Sequence, residues 1–262
     1  MKDHILTHLT ADCPWRDTLC WYEQTDSTNT RAKELAKAGA PHGTVLVAKS
    51  QTGGRGRMGR SFLSPIGGVY LSVILRPGCY PENLMHLTCA VAVAACNAVE
   101  EACGVRPSIK WTNDLVSDKK KLGGILTELS LDGKGNVEFA IIGIGINCEK
   151  PNDLPAELQD TVTSIQEISD GCTTEYLTAK LIEALWKMDL RLFTGKQEMM
   201  TFYREHCITL GKEIKVIRGD YVDYGTALDI DEDGGLLVRF RDGKEKVVAS
   251  GEVSVRGMYG YL

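Results

Sequence analysis

The chain has 262 residues, 43% of them hydrophobic and 25% charged, which is the balance of a soluble globular protein with a substantial core. Its net charge of −5 provides no general basic surface for nucleic acid. No apolar signal core begins the chain, and the longest weakly polar run, 87–99, is too short to cross a membrane, so we expect a cytoplasmic protein with no membrane partner.

The first predicted elements are short. Residues 1–19 have no convincing period and are expected to form an irregular lead-in, and 21–22 is a strand candidate. Asp26–Thr30 is rich in cap-forming residues and opens a helix that Gly39 ends. Capping explains these residues fully and is the favoured interpretation from the local sequence. A helix start with hydroxyl and amide groups is also suited to a polar ligand.

A glycine- and arginine-rich segment, Gln51–Arg60, lies between two predicted buried strands, 44–49 and 68–75. It contains four glycines and three arginines in ten residues. Glycine lets a backbone approach a ligand closely, and arginine supplies a planar, always-charged fork that suits carboxylate and phosphate. The segment therefore predicts a flexible anion-binding loop carried on a rigid sheet.

Three generic interpretations of this loop are disfavoured. It has no Gly-Lys-Ser/Thr opening a helix, as a P-loop requires. Its glycines lead into a strand, whereas a dinucleotide-binding fingerprint leads into a helix. An Arg-Gly segment that binds RNA needs repetition or interleaved aromatic residues, and Phe62 is the one aromatic residue nearby.

The middle of the chain is predicted to contain a buried helix followed by strands. Residues 81–103 have little charge before Glu100, which indicates burial on most faces. Strands are expected at 108–116, 121–130 and 137–147. Polar residues lie at or near the ends of these strands, and whether they converge is not decided by the sequence alone: Lys110, Asn113, Asp114, Lys121 and Asn147.

The nine cysteines include no Cys-x-x-Cys pair. In a chain of this size that pattern favours reduced thiols over a disulfide framework. Cys89, Cys96 and Cys103 recur every seven residues on the predicted helix, which indicates a stripe facing the core. Because no histidine shares the stripe, a metal site there is disfavoured.

The last part of the chain changes character. Residues 148–172 are expected to be a loop, and 174–193 and 196–207 are predicted to be helices. From Gly211 onward, five short alternating segments separated by turns predict a small β-barrel. We therefore expect two domains, 1–209 and 210–262.

Four motifs, in order over most of the chain, resemble those of the biotin protein ligase family. They are Ser27-Thr-Asn29; Gln51 followed by Gly54-Arg-Gly-Arg-Met-Gly59; Lys110-Trp-Thr-Asn-Asp114; and Lys121-Leu-Gly-Gly-Ile-Leu126 with Gly143-Ile-Gly-Ile-Asn147. The set is far more specific than any one member. It reverses the preference at Ser27–Asn29, where a binding role is now favoured over capping alone.

Three residues depart from the family pattern. Thr112 replaces the usual proline, which should loosen its turn; Met58 replaces a residue that is often basic; and Phe62 replaces a common tryptophan. The Ser-Thr-Asn segment lies as early as residue 27, so we expect no helix-turn-helix domain and no DNA-binding repression.

The resemblance implies an α+β fold, with helices packed on a mixed-sheet catalytic domain and a small C-terminal β-barrel. It also implies a reaction in which biotin and ATP form biotinyl-5′-AMP, with Mg²⁺, before biotin passes to a lysine of a biotin carboxyl carrier domain. Lipoate ligases, octanoyl transferases and non-catalytic biotin- or nucleotide-sensing modules are the alternatives. Whether the chain is a monomer or a homodimer is left open.

The resemblance also implies roles for individual residues. The implied catalytic residues are Lys121, Arg57 and Asp114, with Asp114 also a Mg²⁺ contact through ATP. The implied biotin-binding residues are Ser27, Thr28, Asn29, Gln51, Gly54, Arg55, Gly56, Arg57, Lys121, Gly123 and Gly124. The implied ATP-binding residues are Arg55, Arg57, Arg60, Phe62, Lys110, Asn113, Asp114, Lys121, Asn147 and Arg256.

Overall fold

The computed structural model describes residues 1–151, 154–249 and 254–257. In the described residues the α-helices are α1 (Lys2–His8), α2 (Thr28–Lys37), α3 (Leu87–Cys103), α4 (Ala156–Gln159), α5 (Ile165–Ile168), α6 (Thr174–Leu190) and α7 (Lys196–His206). The strands are β1 (Leu19–Tyr22), β2 (Thr44–Ala48), β3 (Gly68–Leu75), β4 (Ser108–Lys110), β5 (Asp114–Ser117), β6 (Lys120–Leu131), β7 (Val137–Asn147), β8 (Glu213–Arg218), β9 (Tyr221–Ile230), β10 (Leu236–Phe240), β11 (Glu245–Val248) and β12 (Ser254–Gly257).

The first seven strands form one mixed sheet in the order β1-β2-β3-β7-β6-β5-β4. β1 pairs with β2 in parallel, and the remaining neighbours pair antiparallel. β2, β3 and most of β7 are buried along their whole length, which explains their continuous apolar sequences. The predicted mixed sheet with packed helices is confirmed.

Helices cover both faces of this sheet. On one face, α3 packs against α6 and α7 within the main hydrophobic core. On the other, α2 contributes Ala32 and Ala36 to a smaller cluster with Phe139. By length and composition alone, Pro81–Cys103 could cross a membrane, but 72% of its most apolar window is buried inside the protein, as in a core helix.

Three predicted segments are more ordered than the sequence indicated. The expected irregular lead-in contains α1, which buries Ile5, and a 3₁₀ helix at Pro14–Thr18. The single strand expected at 108–116 is the hairpin of β4 and β5, with a turn at the tryptophan-containing motif. The expected loop at 148–172 contains α4 and α5.

The C-terminal strands form a five-stranded antiparallel sheet in the order β11-β10-β9-β8-β12. The predicted meander is confirmed. Among the described residues, no strand pair joins β11 to β12, so closure into a barrel stays a prediction, as does the boundary between 1–209 and 210–262. Two contacts hold the β9–β10 turn against earlier elements. Trp111 Nε1, in the β4–β5 turn, donates to Gly234 O at 2.9 Å, and Lys196 at the start of α7 forms a salt bridge with Asp233 at 2.7 Å.

The expectation that all the thiols are reduced is wrong for two cysteines. Cys103 and Cys172 form a disulfide that joins the end of α3 to the segment just before α6. No spacing pattern predicts this pair, because the two residues are 69 positions apart. The other seven cysteines are free, and Cys89 and Cys96 are buried on the core side of α3 as predicted.

The disulfide makes a countable prediction. Thiol titration of the protein, isolated without reductant and unfolded in denaturant, should give seven free thiols, rising to nine after reduction. Peptide mapping without reductant should recover Cys103 and Cys172 in one cross-linked fragment. Nine thiols before reduction, in protein purified aerobically, would contradict the pairing.

Candidate active site

A cavity of about 350 Å³ opens on the sheet face that carries the start of α2. This volume is within the range of small-molecule sites. The lining residues that the sequence predicted are Ser27, Thr28, Asn29, Gln51, Arg55, Gly56, Arg57, Arg60, Phe62, Lys110, Asn113, Asp114, Lys121 and Gly124. Residues separated by up to about a hundred positions therefore meet around one space.

One end of the cavity is a neutral hydrogen-bonding network at the start of α2. Ser27 caps the helix, its hydroxyl accepting from the Thr30 N–H at 3.5 Å. Gln51 Oε1 accepts from both the N–H and the hydroxyl of Thr28, at 2.8 and 3.1 Å. Gln51 Nε2 donates to Ser64 Oγ at 2.8 Å, which fixes the orientation of the Gln51 amide.

The network continues across the sheet through Ser72 and Asn29. Ser72 Oγ lies 2.8 Å from Thr28 Oγ1 and 2.7 Å from Asn29 Oδ1. Asn29 Nδ2 donates to Glu128 Oε2 on β6 at 3.1 Å. Thr28 and Asn29 are each about 95% buried, so their polar atoms need these partners. The residues that begin α2 therefore both cap the helix and line the cavity.

The glycine- and arginine-rich segment is folded as a narrow hairpin. Phe62 N donates to Gly54 O at 2.9 Å and Gly56 N donates to Arg60 O at 2.7 Å, so the two sides of the segment pair with each other. Its tip is a 3₁₀ turn in which Met58 has a left-handed φ of 56°. That conformation is unfavourable for a residue with a side chain. The hairpin directs its arginines toward the cavity.

The other end of the cavity is strongly charged. Lys121 Nζ lies 2.6 Å from Asp114 Oδ1, and the two side chains are 27% and 18% exposed. Arg57 donates to Asn113 Oδ1 at 3.1 Å. Burial lowers the pKa of the Arg57 guanidinium, and the Asp114 carboxylate opposes that shift. Arginine still keeps its charge at neutral pH, so fixed cations surround this end.

The turn between β4 and β5 is held from outside its own hairpin. Tyr203 donates from its hydroxyl to Thr112 O, and Trp111 N donates to Thr209 Oγ1, both at 2.9 Å. Asn113 Nδ2 donates to Ile125 O at 2.8 Å. Thr112 is buried, and the Trp111–Thr112 peptide bond is cis. These bonds hold the turn that was expected to be loosened by the loss of proline.

Glycines on β6 and β7 form the floor of the cavity. A Cβ atom at Gly145 would come within 2.4 Å of the Phe62 ring, and one at Gly143 within 2.0 Å of Asn29 Oδ1. A Cβ at Gly124 would lie 3.4 Å from both the Phe62 ring and Lys121 Nζ. The missing side chains therefore let Phe62 and Asn29 lie directly on the strands.

Three predicted site residues do not line the cavity, and a fourth lies outside the described side chains. Gly54 and Gly123 do not line the cavity; a Cβ atom at either would meet backbone carbonyls, so both glycines are needed for chain packing. Asn147 also lies outside the lining and donates to Thr163 O at 3.1 Å. Arg256 lies on β12, but its side chain is outside the described part of the chain.

Sequence reasoning missed several lining residues. They are Met58, Ser61, Trp111, Ile125, Leu126, Gly143, Ile144, Gly145, Leu158, Thr161 and Val255. Gly143 and Gly145 carried a usable signal, since paired glycines inside a buried strand indicate close approach of another group. Leu158, Thr161 and Val255 carried none, because they reach the cavity only through the folding of distant segments.

The arrangement suits a ligand with a neutral polar group at one end and an anion at the other. The Leu126 side chain shares the cavity face of the sheet with Gly124, Gly143 and Gly145, whereas Ile125 and Ile144 line the cavity by their backbone and bury their side chains in the main core on the opposite face. The cluster of Lys121 and the arginines can neutralise more than one anion at once. Such a site can bring a carboxylate and a phosphate together.

Comparison with known proteins identifies the family. Residues 21–147 match the model of the biotin/lipoate A/B protein ligase family, and residues 209–256 match the biotin protein ligase C-terminal domain. The chain is 35% identical to the bifunctional ligase/repressor BirA of Bacillus subtilis, over 88% of this chain and 72% of that protein. The chain belongs to the biotin protein ligase family.

Further relatives of the family agree over nearly the full length. The biotin–[acetyl-CoA-carboxylase] ligase of Paracoccus denitrificans is 31% identical, over 87% of this chain and 96% of that protein. The structure of the Aquifex aeolicus biotin protein ligase in complex with biotin and ATP superposes with a TM-score of 0.78. It is 32% identical and covers 92% of this chain and 99% of that one.

The glycine floor predicts a specific stability effect. Gly143→Ala should lower the free energy of unfolding by about 1–3 kcal/mol, because the added methyl group displaces Asn29 from its bonds to Ser72 and Glu128. Gly133→Ala is the matched control, since its Cβ atom would meet nothing within 4 Å. Urea unfolding of the two variants measures the difference. Equal stabilities would show that Asn29 is not packed against β7.

Proposed function

We propose that this chain activates biotin with ATP to give biotinyl-5′-AMP and pyrophosphate, and then transfers biotin to a lysine of a biotin carboxyl carrier domain. It is an ATP-dependent biotin–protein ligase. The observation that carries the proposal is the 2.6 Å pair of Lys121 and Asp114, in a cavity that three arginines line and whose other end is neutral and hydrogen-bonding.

The neutral end matches the ureido ring of biotin. Ser27, Thr28 and Gln51 offer hydroxyl and amide groups that are already oriented by their protein partners, so little ordering is needed when the ring binds. Leu126 and the glycine floor of β6 and β7 provide apolar contact for the rest of the biotin molecule. The biotin carboxylate then extends toward Lys121.

The charged end makes the first step possible. A carboxylate oxygen of biotin attacks the α-phosphorus of ATP, forming a new O–P bond while the bond to pyrophosphate breaks. Two anions must approach each other, and fixed cations lower the cost of that approach. Lys121 contacts the carboxylate and the α-phosphate, while Arg55, Arg57 and Arg60 hold phosphate oxygens. Phe62, Lys110 and Asn113 face the nucleotide.

In the second step the acceptor lysine amine attacks the carbonyl carbon of the mixed anhydride. The C–N bond forms, the C–O bond to the phosphate breaks, and AMP leaves. The amine must lose a proton, and Asp114 is the carboxylate among the residues that line the cavity. Its Oδ1 atom lies 2.6 Å from Lys121 Nζ, which holds the carboxylate beside the reacting groups.

Mg²⁺ accompanies ATP in this proposal and supplies charge neutralisation of the phosphates. Asp114 would contact it, and a single carboxylate fits an ion that is held mainly by nucleotide phosphates. Within the described ranges no cluster of three or more metal-binding side chains occurs. Asn147 and Arg256 stay proposed nucleotide contacts. Asn147 would act indirectly, by holding the segment around Thr163 beside the cavity.

The proposal extends to setting and partners. We place the reaction in the cytoplasm, where ATP and carrier proteins meet, and include no DNA target or membrane, since the net charge of −5 offers no general attraction to either. The proposal leaves room for a homodimer. Transfer of labelled biotin to an acceptor domain, with ATP and Mg²⁺, tests the whole proposal, and lipoate in place of biotin is the control for substrate class.

Lys121→Ala should slow biotin adenylation by on the order of a hundredfold or more, because a cation is lost where two anions react. The measurement is biotin-dependent exchange of labelled pyrophosphate into ATP. Lys134→Ala, in the exposed turn between β6 and β7, is the control and should match wild type. Exchange at the wild-type rate in Lys121→Ala would refute the assigned role.

The hairpin at 51–62 should be more mobile without ligand than with the adenylate, because a mixed anhydride must be shielded from water. Trypsin should cut after Arg55, Arg57 and Arg60 in the free protein, and biotin with ATP should suppress this cleavage. Mass spectrometry of the fragments measures the effect. Identical cleavage with and without the two substrates would rule out closure.

A further inference from the structure

Glu128 has no part in the chemistry above, yet it lies where three elements of the site meet. It is on β6, and its side chain is 18% exposed. One carboxylate oxygen, Oε2, accepts from Asn29 Nδ2 at 3.1 Å. The other, Oε1, lies 3.5 Å from Arg55 Nη1 and 3.6 Å from Lys33 Nζ. The two oxygens therefore serve different partners.

The Asn29 contact connects Glu128 to the neutral end of the cavity. Asn29 Oδ1 accepts from Ser72, whose hydroxyl also contacts Thr28. Because an ionised carboxylate can only accept hydrogen bonds, Glu128 requires the NH₂ of Asn29 to face β6 and its carbonyl oxygen to face Ser72. Glu128 sets this orientation together with Leu126 O, which accepts from Asn29 Nδ2 at the longer distance of 3.4 Å, and Asn29 is only 5% exposed.

The Arg55 contact connects Glu128 to the glycine- and arginine-rich hairpin. The Arg55 side chain is 48% exposed and lies on the side of the hairpin that pairs with Ser61. Lys33 of α2 approaches the same oxygen, so two cations share one carboxylate oxygen. A partly buried carboxylate with two cations is held more firmly than an exposed ion pair, since water competes less for its charge.

We propose that Glu128 is a positioning residue that joins the start of α2 to the arginine hairpin, so that the ligand site is assembled before the ligand arrives. This inference rests on the proposed function for its kinetic consequence. Glu128 does not line the cavity, and none of the family motifs quoted above includes it.

The chemistry requires a carboxylate at this position. Glutamine has one acceptor oxygen and one NH₂ group. If its oxygen keeps the bond to Asn29, its NH₂ faces Arg55 and Lys33; if its oxygen faces the cations, its NH₂ faces the NH₂ of Asn29. Glu128→Gln is nearly isosteric but cannot satisfy both sides at once, so it isolates the positioning role from packing.

Biotin-dependent pyrophosphate exchange gives the kinetic test. Glu128→Gln should raise the KM for biotin by about tenfold, the size expected when a charge-assisted contact is lost, with kcat changed less than about twofold. Glu138→Gln, an exposed carboxylate on the adjacent strand β7, is the control and should match wild type in both constants. An unchanged KM in Glu128→Gln would overturn the inference.

A double-mutant cycle separates action through Arg55 from a general effect. Arg55→Met and Glu128→Gln are combined, and the fold-changes in biotin KM are compared. If Glu128 acts by holding Arg55, the fold-increase in biotin KM of the double variant should be at least about threefold smaller than the product of the two single fold-increases. Multiplicative effects would overturn the joining role.

Proteolysis of the ligand-free protein gives a readout that does not depend on the reaction. Trypsin cleavage after Arg57 and Arg60, which all variants retain, should be several times faster in Glu128→Gln and in Arg55→Met than in wild type, with an unchanged Tm. Wild-type cleavage rates, or a Tm lowered in parallel with the KM change, would overturn the inference. Failure of wild type to exchange pyrophosphate with biotin would instead refute the proposed function and leave this comparison intact.

Discussion

The site depends first on the ion pair of Lys121 and Asp114. Two charges this shielded from water would each be costly alone, and the 2.6 Å contact offsets much of that cost. The pair also fixes where the reacting anions can bind, because Lys121 is held along its backbone as well. Its N–H donates to Thr161 O at 2.8 Å and its carbonyl accepts from Thr163 N at 2.9 Å. The segment after β7 is thereby fastened along the cavity, and Asn147 fastens it a second time through Thr163.

The start of α2, at the other end of the cavity, is neutral. Because the two ends differ in charge, a ligand with one neutral and one anionic group can bind in only one orientation. The neutral groups are fixed by one another, through Gln51, Thr28, Ser72 and Asn29, without any charged group until Glu128. A polar, uncharged ligand group can exchange for water there at little ordering cost, and the nearby cations Arg55 and Lys33 already lie beside the Glu128 carboxylate. A ligand with one neutral polar group and one carboxylate is therefore oriented before any reaction, and the carboxylate is delivered to Lys121.

Much of the fold could be predicted from local sequence patterns. Where the prediction failed, the structure shows a physical reason. The strand at 68–75 was predicted at its exact bounds because it is apolar throughout and ended by a turn signal. α1 was missed because only Ile5 is buried, which leaves almost no period to detect. The hairpin within 108–117 was missed because its turn is stabilised by Tyr203 and Thr209, about ninety positions away. Most of the predicted polar site residues do line one cavity, because the family motifs marked them. Leu158 and Val255 also line it but could not be predicted, because only the packing of distant segments brings them there. Long-range packing has no signal in a single sequence.

The C-terminal sheet is best understood as part of the site. Val255 of β12 lines the cavity, and the β9–β10 turn accepts a bond from the Trp111 indole. Trp111 begins the turn that carries Asn113 and Asp114, so the orientation of that turn depends on contacts with both later segments of the chain. The β9–β10 turn also packs against α3, since a Cβ atom at Gly234 would come within 2.8 Å of Cys89 Sγ. The β9–β10 turn therefore contacts the core helix through Gly234 and the tryptophan-containing turn through the Trp111 indole, and the latter turn carries Asp114 to its pairing with Lys121.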